Sequence, residues 1–348
     1  MKEVDYIVVG CGLAGIMFCE QLIQNKKSFV VFDDGSQKSS LVAGGLYNPV
    51  ILKRFTPVWK SKEQLALSLP RYKTLEALLN VKLDYKIPVL RLFSSVEEQN
   101  NWFTASDKPT LSEFLKPEIL ELHNPAIKSE FGFGEVLDTG RIDTNALIDN
   151  FKEYLSAKNC LIEESFDHTR LHMANAKVSY GDYNAKQLVY AEGFGLKKNP
   201  YFKHLPLTGT KGELLIIKAP ELKIDFVLKS GAFIIPLRDH HYIVGATYEW
   251  EDKSNTPTLA AKVELENKLN NFINCNYKII EQVAGMRPTV TDRRPLVGQH
   301  PKYKNLYVLN GLGTRGVMIA PYVANQLYKY IENGTPIDQE VSISRFDD

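Results

Sequence analysis

The sequence predicts a mixed α/β chain, α+β overall, in which a nucleotide-binding lobe built from separated segments is interleaved with a mainly antiparallel lobe. Three observations predict it. The chain opens with DYIVVGCGLAGIMFCEQL and soon reaches SFVVFDD: strand, glycine turn, helix, and a second strand ending in acid. From 206 to 249 the pattern is short β-runs (GELLIIKA, FVLKS, AFIIPL, HYIVGATY) without helical crossovers, which points to an antiparallel sheet. The tail from GMRP through NLYVLNGLGTRG to a helix over 319–332 then returns to strand, glycine turn and helix. A chain of 348 residues exceeds one ordinary core, so two lobes fit its length.

Each element has its own reason. Tyr6 to Val9 is an apolar run of the kind buried on both faces of a parallel sheet. Gly10 permits a tight turn, Gly12 lets backbone approach a pyrophosphate, and Gly15 lets the helix pack close to the strand. The helix, entered at Leu13 and Ala14, points free N–H groups and its positive dipole end at phosphates. Asp33 closes the apolar run Phe29–Phe32 and is placed to accept hydrogen bonds from adenosine ribose hydroxyls, with Asp34 beside it. A small-residue loop, SSLVAGGLYNPV (39–50), leads to a helical stretch over 61–79 that Pro70 is expected to interrupt. Residues 82–94 read as strand and 95–134 as a polar, Pro-containing excursion. Asp143 or Thr144 caps a helix whose apolar stripe is Leu147, Phe151 and Tyr154/Leu155. Strand signals return at LIEESF and at KQLVYAEGFG, where the glycines of the strand end, Gly193 first, let backbone run beside a flat ligand. His240-His241 reads as a solvated turn, and Thr256-Pro257 as the start of an amphipathic helix through Ile273. Near the end, Leu306–Leu309 runs into Gly311, Gly313, Thr314, Arg315 and Gly316, aiming another helix N-terminus at something electron-rich.

Bulk properties narrow the partners. Hydrophobic residues make up 44% and charged residues 24%, a soluble globular composition. With a net charge of +1 there is no basic field to attract nucleic acid or an anionic membrane. No window approaches the ~20 apolar residues of a membrane span, and no leader-like start precedes the first strand. Four scattered cysteines without CxxC spacing suggest a reduced, cytoplasmic protein, and no cluster has metal-ligand spacing.

GCGLAG with Asp33, AGG at 43–45, the AEGFG strand, GMRP followed by DRRPLVG, and GLGTRG with its helix resemble, in order and over nearly the whole chain, the D-amino-acid oxidase/glycine oxidase family of FAD-dependent oxidoreductases. AGGLYNP, DRRPLVG, NLYVLNGLGTRG and PYVANQL are also similar to the FAD domain of a bifunctional bacterial tRNA-modifying enzyme, which oxidatively removes carboxymethyl from a modified uridine. The resemblance implies a Rossmann-type FAD-binding lobe over 1–80, 135–205 and 280–348, and a substrate lobe over 81–134 and 206–279. It implies FAD on the GxGxxG turn, Gly44, Gly45 and Leu46 against the flavin ring, and the Phe166 backbone at the adenine. Gly311 to Val317 would give N–H groups to the pyrimidine edge. Such groups would stabilise the negative charge that builds there as the flavin takes a hydride. No cysteine stands near GMRPT, where relatives tether their flavin, so the FAD is expected to be non-covalent.

The implied chemistry oxidises an amine C–N bond to an imine, on a small-molecule carboxylate-bearing amine of the glycine, D-amino acid or N-substituted glycine type. The electron acceptor is left as oxygen or another. Arg287 of GMRP matches the family position that holds a substrate carboxylate, a role suited to the bidentate guanidinium. The competing role for it is an ion pair with a nearby carboxylate such as Asp292. Tyr248 lines the pocket or packs in the core, Arg54 contacts substrate or is a solvated surface residue, and Arg315 touches flavin or substrate. Two other functions stay open: a flavoenzyme modifying tRNA, and a flavin-binding protein without turnover. No methyltransferase segment accompanies this chain, which with the near-neutral charge weighs against RNA.

Overall fold

The computed structural model describes residues 1–174 and 177–346. Among these, two eight-stranded sheets dominate. The first centres on Lys2–Val9, flanked in parallel by Phe29–Phe32 and Tyr183–Tyr190, with Leu306–Asn310 parallel on the far side of Tyr183–Tyr190. In register, Val9 lies between Phe32 and Tyr190, so the C-terminal strand ends, the glycine turn and Asp33 share one edge. This is the edge where ligands bind in open parallel sheets. Ile7, Val8, Val30 and Val31 are buried, as a sheet covered on both faces requires.

The second sheet runs, in spatial order, Lys278–Arg287, Thr210–Lys218, His241–Gly245, Phe233–Pro236, Val227–Lys229, Val89–Leu92, Phe133–Val136, Leu115–Leu120. The runs over 206–249 are antiparallel to one another, as their lack of crossovers predicts. One pairing is parallel, Val227–Lys229 beside Val89–Leu92. Alternation splits the sheet's faces between two cores: Leu214, Ile235 and Ile243 pack toward the first sheet's helices, while Leu215, Ile234 and Val244 pack outward under the helix Leu259–Asn270.

Several local expectations change. Pro70 does not interrupt its helix, which runs unbroken over Ser61–Leu79. Anchors on both sides of the proline hold it to the last helix: Ser68 donates to the Met318 carbonyl at 2.7 Å and Tyr72 to the Val317 carbonyl at 2.8 Å. The 95–134 excursion contains a helix, Val96–Ser106, and the strand Leu115–Leu120. Only Trp102, Ala105 and Ser106 of that helix are buried, so its apolar stripe is too thin to show in sequence. The Thr256-Pro257 start moves inward: Thr258 caps the helix by accepting from the Ala261 N–H at 3.3 Å, leaving Pro257 outside. Residues 82–94 divide around Pro88 into Asp84–Tyr85 and Val89–Leu92, and LIEESF keeps only Leu161–Ile162 as strand. Asp143 does cap its helix, accepting from the Ala146 N–H at 3.2 Å, and the last helix spans Gly316–Asn333.

Candidate active site

The glycine turn is fixed partly by the chain's own packing. A Cβ on Gly10 (φ +101°) would sit 2.5 Å from the Ala191 carbonyl oxygen, and one on Gly15 only 1.9 Å from the Gly10 oxygen. Gly313 (φ +59°) is different: its missing Cβ faces open space. The opening helix and the last helix both begin without a side-chain cap, and Gly316 at one start lies 3.1 Å from Leu13 Cδ1 at the other, measured from an added Cβ. Two positive helix ends therefore adjoin beside an open glycine backbone. Leu13 gives its N–H to the Ser40 hydroxyl at 3.1 Å, and Ser40 Oγ is also the nearest atom to the open side of Gly12.

Asp33 stands at the end of its strand, accepting the Cys11 N–H on Oδ1 at 3.1 Å and the Lys152 ammonium on Oδ2. Lys152 comes from the helix Thr144–Ala157, and no short-range pattern marks it. Asp34 turns to its own loop and accepts the Ser36 N–H at 2.9 Å. Burial would raise its carboxyl, but the Ser36 bonds outweigh that and hold it below the ordinary value. The Phe166 side chain is core, stacked on Tyr180 with ring centres 4.0 Å apart. At Gly193 the carbonyl accepts the Asn310 amide at 3.0 Å. Ala14 and Val317 are buried in the first turns of their helices, and Thr314 is exposed just before the second.

The small-residue loop bridges the two sheets. Gly44 lies against Ile235 of the second sheet, Gly45 against the Ile142 carbonyl, and Leu46 pairs with Arg141. Gly311 packs on Val290. Arg287 ends the strand Lys278–Arg287, and its guanidinium folds back over Gly212, whose added Cβ would fall 1.9 Å from Nη2. Nη1 donates to the Thr247 carbonyl at 3.1 Å and the Lys211 carbonyl at 3.4 Å. The Tyr248 ring covers it, centroid 4.7 Å from Cζ. Arg315 also interacts electrostatically with Tyr248 and donates weakly to the Asn48 carbonyl at 3.5 Å. Burial lowers the pKa of both guanidinium groups, with Tyr248 opposing the shift.

Among the described residues neither arginine has a carboxylate partner. Asp292, the local candidate for Arg287, instead pairs with Arg345 at 2.8 Å. Tyr248 is 59% exposed, so core packing does not account for it. Arg54 is exposed in the turn after Val50–Ile51, and its described contacts do not join it to the other three. Sequence reasoning missed Lys211, which is fully buried and bonds Asp252 at 2.6 Å, holding that carboxyl at about 2. Surface hollows of about 680 and 270 Å³, lined by Pro125 and His240 and by Lys86 and Asp138 respectively, contain none of these residues. No His, Cys, Asp and Glu group suited to a metal occurs among the described residues. No helix there is long and apolar enough to cross a membrane.

The donor set fits a dinucleotide joined to a ring that gains negative charge: two helix starts whose N-cap residues supply no capping side chain, an open glycine cradle, and a carboxylate at the strand end. Comparison with known proteins agrees. The chain is 24% identical to glycine oxidase of Bacillus subtilis over 344 residues, covering 92% of this chain and 90% of that one. A tRNA 5-methylaminomethyl-2-thiouridine biosynthesis bifunctional protein of Campylobacter jejuni is 29% identical over 121 residues, but this covers only 32% of this chain and 18% of that protein. The structure of glycine oxidase from Geobacillus kaustophilus superposes with a TM-score of 0.77 at 18% identity, covering 95% of each chain. The family model for FAD dependent oxidoreductases of the DAO type matches residues 5–329, and the chain belongs to that family.

Proposed function

We propose that this FAD-dependent oxidoreductase oxidises the C–N bond of a small carboxylate-bearing amine to an imine. The observation that carries this reading is the pair of partly buried guanidinium groups, Arg287 and Arg315, meeting at Tyr248 with no carboxylate among the described residues. A buried cation without an anion is costly, and a bound carboxylate relieves that cost. Arg287 grips the carboxylate through its fork, and Tyr248 screens the contact from water, strengthening it. Holding the carboxylate there would fix the α-carbon in one orientation for reaction. The α-hydrogen leaves with its electron pair as the nitrogen lone pair closes the C=N bond; water then adds to release the amine and an oxo acid. FAD supplies the hydride acceptor. With FAD bound, the start of helix Gly316–Asn333 would stabilise the negative charge that the ring gains.

We read Asp33, with the Gly10–Gly15 turn, as the grip on the adenosine and pyrophosphate, and the FAD as non-covalent. Acid denaturation should then release flavin into the supernatant, and colour retained on the precipitate would contradict that. The substrate reading is tested by mixing the yellow protein anaerobically with amino acids and N-substituted glycines. Bleaching by one or more carboxylate-bearing amines is expected. If the whole panel fails while simple amines succeed, the reading is wrong.

A further inference from the structure

The chain itself engages both oxygens of the Asp33 carboxylate. The Asp33 backbone N–H donates to the Ile162 carbonyl at 3.1 Å, on the parallel strand Leu161–Ile162 beside Phe29–Phe32. Oδ1 accepts the Cys11 N–H at 3.1 Å, and Oδ2 accepts the Lys152 ammonium. With a bond on each oxygen the group is no longer free to turn about its side-chain torsions. Each oxygen keeps a further lone pair, so the carboxylate can still accept from a ligand hydroxyl.

Lys152 is placed by its helix. Leu147, Ile148, Phe151 and Leu155 bury one face of Thr144–Ala157, and Thr144 in the first turn donates to the Ala43 carbonyl at 3.3 Å. Lys152 stands about 12 Å further along the same helix. The helix therefore ties the small-residue loop near one end to Asp33 near the other. Burial would lower the Lys152 ammonium, but the bond to Asp33 outweighs that and holds it above its ordinary value, so it stays charged across the neutral range. Glu163 is the other carboxylate acting on it. The Lys152 side chain is 26% exposed, and an ion pair this near the surface adds little to folding stability. What distinguishes the pair is its place, at the strand ends where ligands bind in open parallel sheets.

We propose that Lys152 is a positioning residue for the cofactor: it locks the Asp33 carboxylate, before FAD arrives, in the orientation that accepts the adenosine ribose hydroxyls. Freezing the acceptor beforehand removes that ordering cost from binding. The ammonium also keeps the carboxyl ionised, so each hydroxyl bond is charge-assisted. The proposal rests on the reading that Asp33 grips the adenosine.

Apoprotein is titrated with FAD and with FAD analogues lacking the adenosine 2′- or 3′-hydroxyl, and flavin fluorescence reports each affinity. The proteins compared are wild type, Asp33→Ala, Lys152→Met, Lys152→Gln and Lys152→Arg. Wild type should prefer FAD to at least one analogue by about tenfold or more, the scale of a charge-assisted hydrogen bond. Asp33→Ala should lose that preference. Lys152→Met and Lys152→Gln should bind FAD about tenfold more weakly and lose most of the preference. Lys152→Arg, which keeps the charge and the reach, should retain it. A merely structural lysine would weaken FAD and both analogues alike and leave the preference intact; that result overturns the proposal while the Asp33 reading stands. Tighter FAD binding by Lys152→Met overturns it too, because the lysine would then be competing with the ribose. If wild type binds FAD and both analogues equally, or if Asp33→Ala keeps the preference, the Asp33 reading falls and takes the proposal with it.

Discussion

Asp33 does two things at once: it fixes the glycine turn through the Cys11 N–H, and it holds the Lys152 ammonium. Asp33→Ala should therefore weaken FAD affinity by about 1.5–3 kcal/mol, the range for hydrogen bonds to a charged group. Flavin fluorescence titration checks this, and unchanged affinity would move the role to Asp34. Lys229 offers a second residue-level test. Burial, and then the charges of Arg91 and Lys268, lower its ammonium from 10.5 to about 8, and it has no carboxylate partner among the described residues. Between those values the unfolded chain binds more protons than the folded one, so this group makes stability rise with pH across that window. Lys229→Met should be more stable than wild type at pH 7 by on the order of 2 kcal/mol, with the gap narrowing by pH 10. Urea melts at both pH values decide it; a gap equal at both would contradict the account. The place of Asp33 was legible in the sequence because it follows directly on the apolar strand Phe29–Phe32. Lys152, Ser40 and Lys211 were not, because each acts on a residue distant in sequence or on a loop that local pattern does not place.

At the level of elements, the glycine turns and the strands beside them were legible because their chemistry is local. Phe29–Phe32 is found as its apolar run predicts, and Asp143 caps the helix it precedes. Helix Val96–Ser106 was hidden because Trp102 is its one large buried apolar side chain, held by the Lys116 carbonyl at 2.7 Å and the rings of Phe55 and Phe93. Helix Ser61–Leu79 survives Pro70 because tertiary bonds outweigh the local break. Gly212 shows the same dependence on partners. In sequence it looks like an ordinary strand glycine, while in the fold its bare Cα is the floor beneath the Arg287 guanidinium. Gly212→Ala should keep the flavin but displace that guanidinium, with roughly a hundredfold loss in kcat/KM from misplacement of about an ångström. Stopped-flow reduction would show it, and unimpaired kinetics would mean that Arg287 has room to spare.

Across the whole molecule, the two sheets meet where the Gly44–Leu46 loop touches Ile235, and where Val42 lies against Gly285 of the Arg287 strand. That junction brings the open glycine backbone and Arg315 of one part to Arg287 of the other. The interleaving was legible from motif order, since glycine turns open and close the chain around the β-rich middle. Which side chains gather around Arg287 was not, because pairing between strands far apart in sequence decides it. The central claim is that Arg287 holds a substrate carboxylate. It is tested most directly by comparing a carboxylate-bearing amine with its decarboxylated analogue in wild type and Arg287→Lys, followed by anaerobic flavin reduction. Lysine keeps the charge but not the fork. The account predicts that wild type strongly prefers the acid, and that Arg287→Lys stays folded and yellow but loses the preference and needs far more acid. Equal reduction of both proteins by the amine lacking a carboxylate would contradict it.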